Sequence, residues 1–485
     1  MILVLTNREN FQYDIHSLVK AFFPEQDVKV TGLEASKENM TDVSGEIKIL
    51  LENEYIDFDI EISGTAKKYH KDIEMEEDSH LYKNKMKLMM YDFLCDYTGK
   101  KLPWGNLTGI RPTKLPMGYL EEGMSEADII NKLQSEHAVS DEKAYLSLDI
   151  AKREREILSK IDAKNGYSLY IGIPFCPTTC LYCSFTSYPI CVWKKKMQDY
   201  LDAVYKEIQF ISEFYKDKTL DTVYIGGGTP TTLEARDLEW LISRLKASFD
   251  FSTVKEFTVE AGRADSITKE KLEVLKKYGV TRISVNPQTM KDETLKFIGR
   301  QHTVQQAKDA YKLAREVGLD NINMDIILGL PGEDEKDVQN TIDEIKKLNP
   351  DSLTVHSLAI KRASRLNQWI IENGISTLNN TDSTMDIASK GAKDMGMYPY
   401  YLYRQKNMSG NFENVGYAKE GKFGIYNILI MEEVQTIVAL GAGSVTKRVF
   451  GNGRIERCDN VKDVKLYIEQ IDEMIERKRK LLSME

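Results

Sequence analysis

Cysteine is scarce: six in 485 residues, too few to hold a chain of this length together with disulfides. Only 12 prolines and no low-complexity tract argue against an extended or disordered polymer. Basic charge is short as well. Against 75 Asp and Glu stand 66 Lys and Arg, a net charge of -9 that leaves no broad footprint for DNA or RNA, so no nucleic-acid partner is expected. No uninterrupted apolar stretch is long enough to span a bilayer, and MILVLTNREN lacks the positive start and apolar run of a signal peptide. No membrane partner and a cytoplasmic location are therefore expected. What is present is an ordinary globular composition, 42% hydrophobic and 29% charged, in a chain long enough for about three domains or one large barrel with additions.

Residues 1–165 read as an α+β domain without visible chemistry. EYIDFDIEI alternates with period two, and KNKMKLMMYDFLCDYTG carries helical spacing. A Gly/Pro-rich connection, LPWGNLTGIRPTKLP, and a charged, solvated helix, EKAYLSLDIAKREREIL, lead out of it. From residue 166 to 362 short β-branched runs alternate with helical stretches. The strands are SLYIGI, DTVYIG, EFTVEA, RISVN, NINMDIIL and SLTVHSL, with helices near 200–214, 238–249, 267–278, 304–317 and 337–348. Six such units predict an α/β fold, an open (β/α)6 partial barrel of TIM type. Residues 363–485, with an aromatic strand in YPYYLYRQKNM, a glycine-rich turn in LGAGSV and a charged last helix, read as a C-terminal cap.

Three of the six cysteines fall within eight residues. Cys176, Cys180 and Cys183 form C-x-x-x-C-x-x-C directly after the first barrel strand. Strand ends are where barrel enzymes carry their reactive groups. Four thiolates would saturate a four-iron cluster, whereas three leave one iron able to take a substrate. Structural zinc is the alternative. It prefers paired C-x-x-C units or histidines, and none of the six histidines is near this loop in sequence; Cys191 is a conceivable fourth ligand. Cys95 and Cys458 are expected in the core.

The second strand runs into GGGTP, where residues without side chains allow close backbone approach to a ligand or form a tight turn. Glu260, Gln288, Arg300 and Asp325 follow at or near later strand ends. Asp325 within an apolar strand is either a ligand-binding or a satisfied structural carboxylate.

Taken together, YIGIPFCPTTCLYCSF, YIGGGTPTTL, FTVEAGR, RISVNPQTMKDETLKFIGRQHT and NMDIILGLPGE resemble the radical S-adenosylmethionine superfamily, and within it the oxygen-independent coproporphyrinogen III oxidase (dehydrogenase) family, from about residue 166 onward. The N-terminal domain, GNFENVGYAKEG and IMEEVQTIVALGAGS are similar to the longer branch of that family. The resemblance implies a 4Fe-4S cluster on Cys176, Cys180 and Cys183 and S-adenosyl-L-methionine as cofactor. It further implies Tyr170 beside the cluster, Gly227, Gly228 and Thr229 at the methionine moiety, Glu260 at the ribose, and Gln288, Arg300 and Asp325 around the rest of the nucleoside.

The implied reaction converts two propionates of coproporphyrinogen III to vinyl groups, with a reducing protein such as flavodoxin or ferredoxin as partner. Gly172 stands where well-known members carry histidine, and Ser184 and Phe185 where they carry a further cysteine. Arg263, Lys361, Arg362, Arg404 and Arg448 are candidates for binding the substrate carboxylates. A haem-binding chaperone is the competing reading, but FGIYNILIMEE has neither the histidine nor the tryptophan of the HNxxYW haem motif. A radical methyltransferase that opens haem is another.

Overall fold

A computed structural model describes residues 1–35, 42–73, 79–185, 187–360, 364–373, 378–405 and 412–484. The chain forms two compact units, one of residues 1–152 with 404–412, the other of residues 153–403 with 413–485.

In the first unit β1 (Ile2–Thr6), β2 (Val28–Gly32), β3 (Gly45–Leu51), β4 (Tyr55–Ile62) and β5 (Thr65–Asp72) form one sheet in the order β2-β1-β3-β4-β5. Alternation in β3 and β4 puts Ile47, Ile49, Ile56, Phe58 and Ile60 on one face, all nearly inaccessible. They pack with Ile15, Leu18, Val19 and Phe22 of helix Gln12–Phe22 and with Met86, Met90 and Leu94 of helix Ser79–Thr98. Burial of each such side chain contributes about 1.5–3 kcal/mol. Helix Asp141–Leu158, expected to be solvated, buries Ala144, Leu148, Ile150 and Ala151.

In the second unit β6 (Gly166–Ile173), β7 (Phe175–Cys176), β8 (Tyr188–Pro189), β9 (Thr219–Gly227), β10 (Glu256–Gly262), β11 (Arg282–Val285), β12 (Ile322–Leu328) and β13 (Ser352–Ser357) appear in chain order. Strands β6, β9, β10, β11, β12 and β13 lie side by side and parallel, the expected six-strand partial barrel. It is open. β13 pairs instead with β15 (Asn414–Ala418), which pairs with β14 (Tyr398–Tyr403), and β6 pairs with β16 (Thr436–Leu440), followed by β17 (Val445–Val449) and β18 (Ile455–Asp459). The C-terminal residues thus extend the same sheet at both edges.

Along the six strands, Leu169, Ile171, Val223, Ile225, Phe257, Val259, Ile283, Val285, Met324, Ile326, Leu353 and Val355 are buried on one face. The residues between them face the other way and are almost all polar. Helix Ile471–Leu482 is anchored by a fully buried pair, Lys478 to Glu207, and Tyr467 and Gly441 N–H also donate to Glu207. No helix among the described residues is long and apolar enough to cross a membrane.

Candidate active site at the strand ends

The loop between β7 and β8 carries the cysteines. Its start is fixed by the sheet: Gly228 N–H donates to Ile173 O at 2.8 Å and Thr229 N–H to Phe175 O at 2.8 Å. Glycine is required here for a physical reason. A Cβ on Gly228 would stand 2.6 Å from Phe175 O and 3.0 Å from Cys176 Sγ, and Gly227 has φ +113°, a region closed to most L side chains. A Cβ on Gly226 would meet the Glu260 carboxyl at 3.1 Å. The three glycines therefore let the end of β9 close against the cysteine loop.

Further along, Leu181 N–H donates to Ile298 O (2.9 Å) and the Thr178 hydroxyl to Gly299 O (2.9 Å), so the turn before Arg300 grips the same loop. Arg263 reaches in from the end of β10, donating to Thr178 O and Oγ1 and lying 3.9 Å from Cys180 Sγ, while Asp265 holds its other edge. Cys180 is buried, Cys176 and Cys183 half-buried. Burial pushes the Cys176 and Cys183 thiols up, and the charge a neighbouring Cys180 thiolate would bring pushes both further. Three thiols that sense one another, with Thr229 Oγ1 3.5 Å from Cys176 Sγ, fit a group that replaces their protons and binds all three. Cys191 is exposed, and Cys95 and Cys458, expected in the core, are half-buried.

The polar inward faces enclose a cavity of about 130 Å³ bordered by Thr258, Glu260, Arg282, Ser284, Asp325 and His356, among others. Tyr224 donates to Glu260 Oε1 at 2.5 Å, and burial raises the Glu260 carboxyl to about 7. Tyr170 stacks with Tyr224 and Tyr426, which stack on each other at 4.4 Å. Burial pushes Asp325 up, but His356, 3.7 Å away, and Asn323, donating at 2.6 Å, outweigh it and hold the carboxyl below its ordinary value.

Gln288 is buried with φ +69°, unusual for a non-glycine residue, and is held there by backbone bonds to Asp325 O and from Ile327 N–H. Among the described residues its Oε1 has no partner, nor does Nε of the buried Arg300, whose other nitrogens donate to Asn286 O and Tyr182 OH. Unpartnered buried polar atoms are what a polar ligand would satisfy.

The anticipated residues divide in two. Tyr170, Gly227, Gly228, Thr229 and Glu260 lie on β6, β9 and β10 or at their ends, with the cysteine loop, and Gln288, Arg300 and Asp325 border the same end of the barrel. The basic candidates for substrate carboxylates that lie among the described residues already have partners. Arg263 is committed to the cysteine loop and Asp265, Arg448 donates to Leu481 O and stacks on Phe450, and Arg404 belongs to the first unit, where it donates to Leu107 O. Lys361 and Arg362 lie outside the described residues. Tyr224, Tyr426 and His356 were not anticipated; alternation from Glu260 and Asp325 places Tyr224 and His356 on the same inward face, but no local pattern brings Tyr426 to it.

Residues 170–345 match the model of the radical SAM superfamily. The chain is 41% identical over 441 residues, 89% of its length and 88% of the relative's, to the oxygen-independent coproporphyrinogen-III oxidase-like protein HemZ of Bacillus subtilis. It is 37% identical over 198 residues, 40% of this chain and 51% of the relative, to the heme chaperone HemW of the same organism. The structure of coproporphyrinogen III oxidase HemN from Escherichia coli shares the fold, with a TM-score of 0.52 at 20% identity over 69% of this chain and 73% of that one. Members of this superfamily use a 4Fe-4S cluster and S-adenosylmethionine. The chain belongs to the radical S-adenosylmethionine superfamily, in the family of oxygen-independent coproporphyrinogen-III oxidase-like proteins.

Proposed function

We propose that this chain is a radical S-adenosylmethionine oxidoreductase that converts two propionate side chains of coproporphyrinogen III to vinyl groups, yielding protoporphyrinogen IX; each propionate gives up a hydrogen atom to the 5′-deoxyadenosyl radical, carbon dioxide, and one electron to a one-electron acceptor. One observation carries the reading: three thiols, a side-chain-free turn and a carboxyl of near-neutral pKa meet at one end of the barrel. The kinship with coproporphyrinogen-III oxidase-like proteins supports the choice of substrate.

When bound, the cluster and S-adenosylmethionine supply a 5′-deoxyadenosyl radical able to take hydrogen from an unactivated carbon. The chain's own residues hold and aim that chemistry. Cys176, Cys180 and Cys183 supply three thiolates and leave one iron position open. Gly227, Gly228 and Thr229 present backbone to the methionine moiety, on a turn whose glycines let it close against the cysteine loop. Glu260, oriented by Tyr224, accepts from ribose hydroxyls. Tyr170 lies over the same end, and Gln288, Arg300 and Asp325 complete the nucleoside site, the first two satisfying their open polar atoms. The tyrosine stack of Tyr170, Tyr224 and Tyr426 limits water from the interior side.

Anaerobic incubation of reconstituted protein with S-adenosylmethionine, a one-electron reductant and coproporphyrinogen III tests the reading. Formation of 5′-deoxyadenosine together with a vinyl product is expected. Stoichiometric haem binding with no vinyl product overturns it in favour of the haem-chaperone function named for relatives such as HemW.

A further inference from the structure

We propose that the surface formed by Phe185, Val192, Trp193 and Lys194, Lys195 and Lys196 docks a small acidic one-electron carrier that reduces the cluster. This inference rests on the proposed cluster, since only a redox centre behind the surface calls for a carrier there. The surface is built onto the cysteine loop itself. β8 pairs with β7 in the register Phe175 to Tyr188 and Cys176 to Pro189, so the segment after Pro189 is attached to the strand that carries a cluster cysteine. Trp193, in the short helix Ile190–Trp193 that follows, sets its ring 6.2 Å from Phe175 and 5.7 Å from Tyr188. A path of aromatic contacts thus leads from the surface to the residue beside Cys176.

Charge identifies the partner. In a chain of net charge -9 with 75 acidic residues, residues 175–198 contain none, and three consecutive lysines close the segment. Lys194 pairs with Glu234 at 3.1 Å, while Lys195 and Lys196 are exposed. The basic patch is therefore local, against an acidic whole, and lies within a few residues of the cysteines. Such a patch steers an acidic partner and orients it during encounter. Apolar area supplies the rest of a contact: Phe185 and Val192 are each 70% exposed, and Trp193 is half-buried, the pairing of aromatic anchor and charged rim found in transient interfaces. In the proposed encounter one electron passes from carrier to cluster, so the carrier is oxidised by one electron as the cluster is reduced by one; no bond forms or breaks.

The test uses reconstituted full-length protein, reduced flavodoxin as carrier, and dithionite as a reductant too small to need a docking site. Lys195→Glu/Lys196→Glu leaves the Lys194 pair with Glu234 intact, and Val192→Asp probes the apolar part separately. Cluster reduction by flavodoxin, followed by loss of visible absorbance, is expected to slow about 10-fold or more in both variants. The wild-type rate is expected to fall with added salt and the double-variant rate to fall much less. Reduction by dithionite is expected to be unchanged in all three proteins.

Equal flavodoxin rates in wild type and variants overturn the proposal, as does a matching loss with dithionite, which would place the lysines in cluster binding or folding. Dimerisation of the wild type that the same substitutions abolish, without change in flavodoxin rate, assigns the patch to a second copy and also overturns it. Failure of the wild type to take up iron fails the proposed function itself, and the docking surface with it.

Discussion

The two sheets of this protein alternate in the same way and use the alternation differently. In β3 and β4 the residues between the buried isoleucines and Phe58 are Lys48, Asp57, Asp59 and Glu61, half-exposed or exposed. In β10 to β13 the residues between the apolar ones are Thr258, Glu260, Ser284, Asn323, Asp325, Thr354 and His356, and they border one cavity. The first pattern is that of a sheet with one face in water. The second encloses hydroxyls, amides and carboxylates that burial would penalise without a purpose. Stability explains the apolar faces of both sheets, whereas the polar interior of the second is what the proposed ligand site accounts for.

Changes at the cysteine loop should produce the largest effects on function with the smallest on fold. Cys180→Ser is expected to abolish the iron-thiolate absorbance of reconstituted protein while leaving far-ultraviolet circular dichroism unchanged, because the loop is pinned at both sides by backbone bonds independent of the thiol. Gly228→Ala comes next. Its methyl would collide with Phe175 O and crowd Cys176 Sγ, so iron content and S-adenosylmethionine affinity should both fall, the affinity by about 10-fold or more, as read by equilibrium binding.

A paired stability measurement breaks or sharpens the contrast between the sheets. Phe58→Ala, in the apolar face of the first, is expected to cost about 3–5 kcal/mol in urea unfolding of that unit. Ser284→Ala, in the polar interior of the second, removes a hydroxyl that lacks a partner among the described residues and should cost less than about 1 kcal/mol. Comparable losses would mean that the interior is ordinary core.

The same interior also sets a pH dependence. Burial raises the Glu260 carboxyl from its ordinary 4.5 to about 7, so between these values the folded state keeps a proton that the unfolded state has released. The folded form is therefore favoured least at the high end: stability should decline as pH rises from about 4.5 to about 7 and level off above. Glu260→Gln should flatten that decline when thermal unfolding is followed across the same range.

Most of the barrel and its chemical end were legible because the relevant signals are local. β-branched runs such as DTVYIG and NINMDIIL mark strands within two residues of those observed, and cysteine spacing and glycine runs need no partner to be recognised. The C-terminal strands were less legible. Thr436–Leu440 is a short apolar run ahead of LGAGS, and its partner is β6, far earlier in the chain, so nothing nearby announces that it joins the barrel sheet. The burial of Gln288 and Arg300 was not legible, because it follows from the approach of β12 and the cysteine loop, contacts that only the folded chain supplies. Arg263 shows the converse: its charge was visible, but Asp265 and the Thr178 carbonyl decide what the charge does.

The central claim is that Cys176, Cys180 and Cys183 hold an iron-sulfur cluster with one iron open to S-adenosylmethionine. Electron paramagnetic resonance of the anaerobically reconstituted, reduced protein, combined with iron and sulfide analysis, tests it directly. The account predicts about four iron and four sulfide per chain and a reduced-cluster signal whose shape changes when S-adenosylmethionine is added. A single zinc with no iron, or a four-iron signal that S-adenosylmethionine leaves untouched, would contradict it.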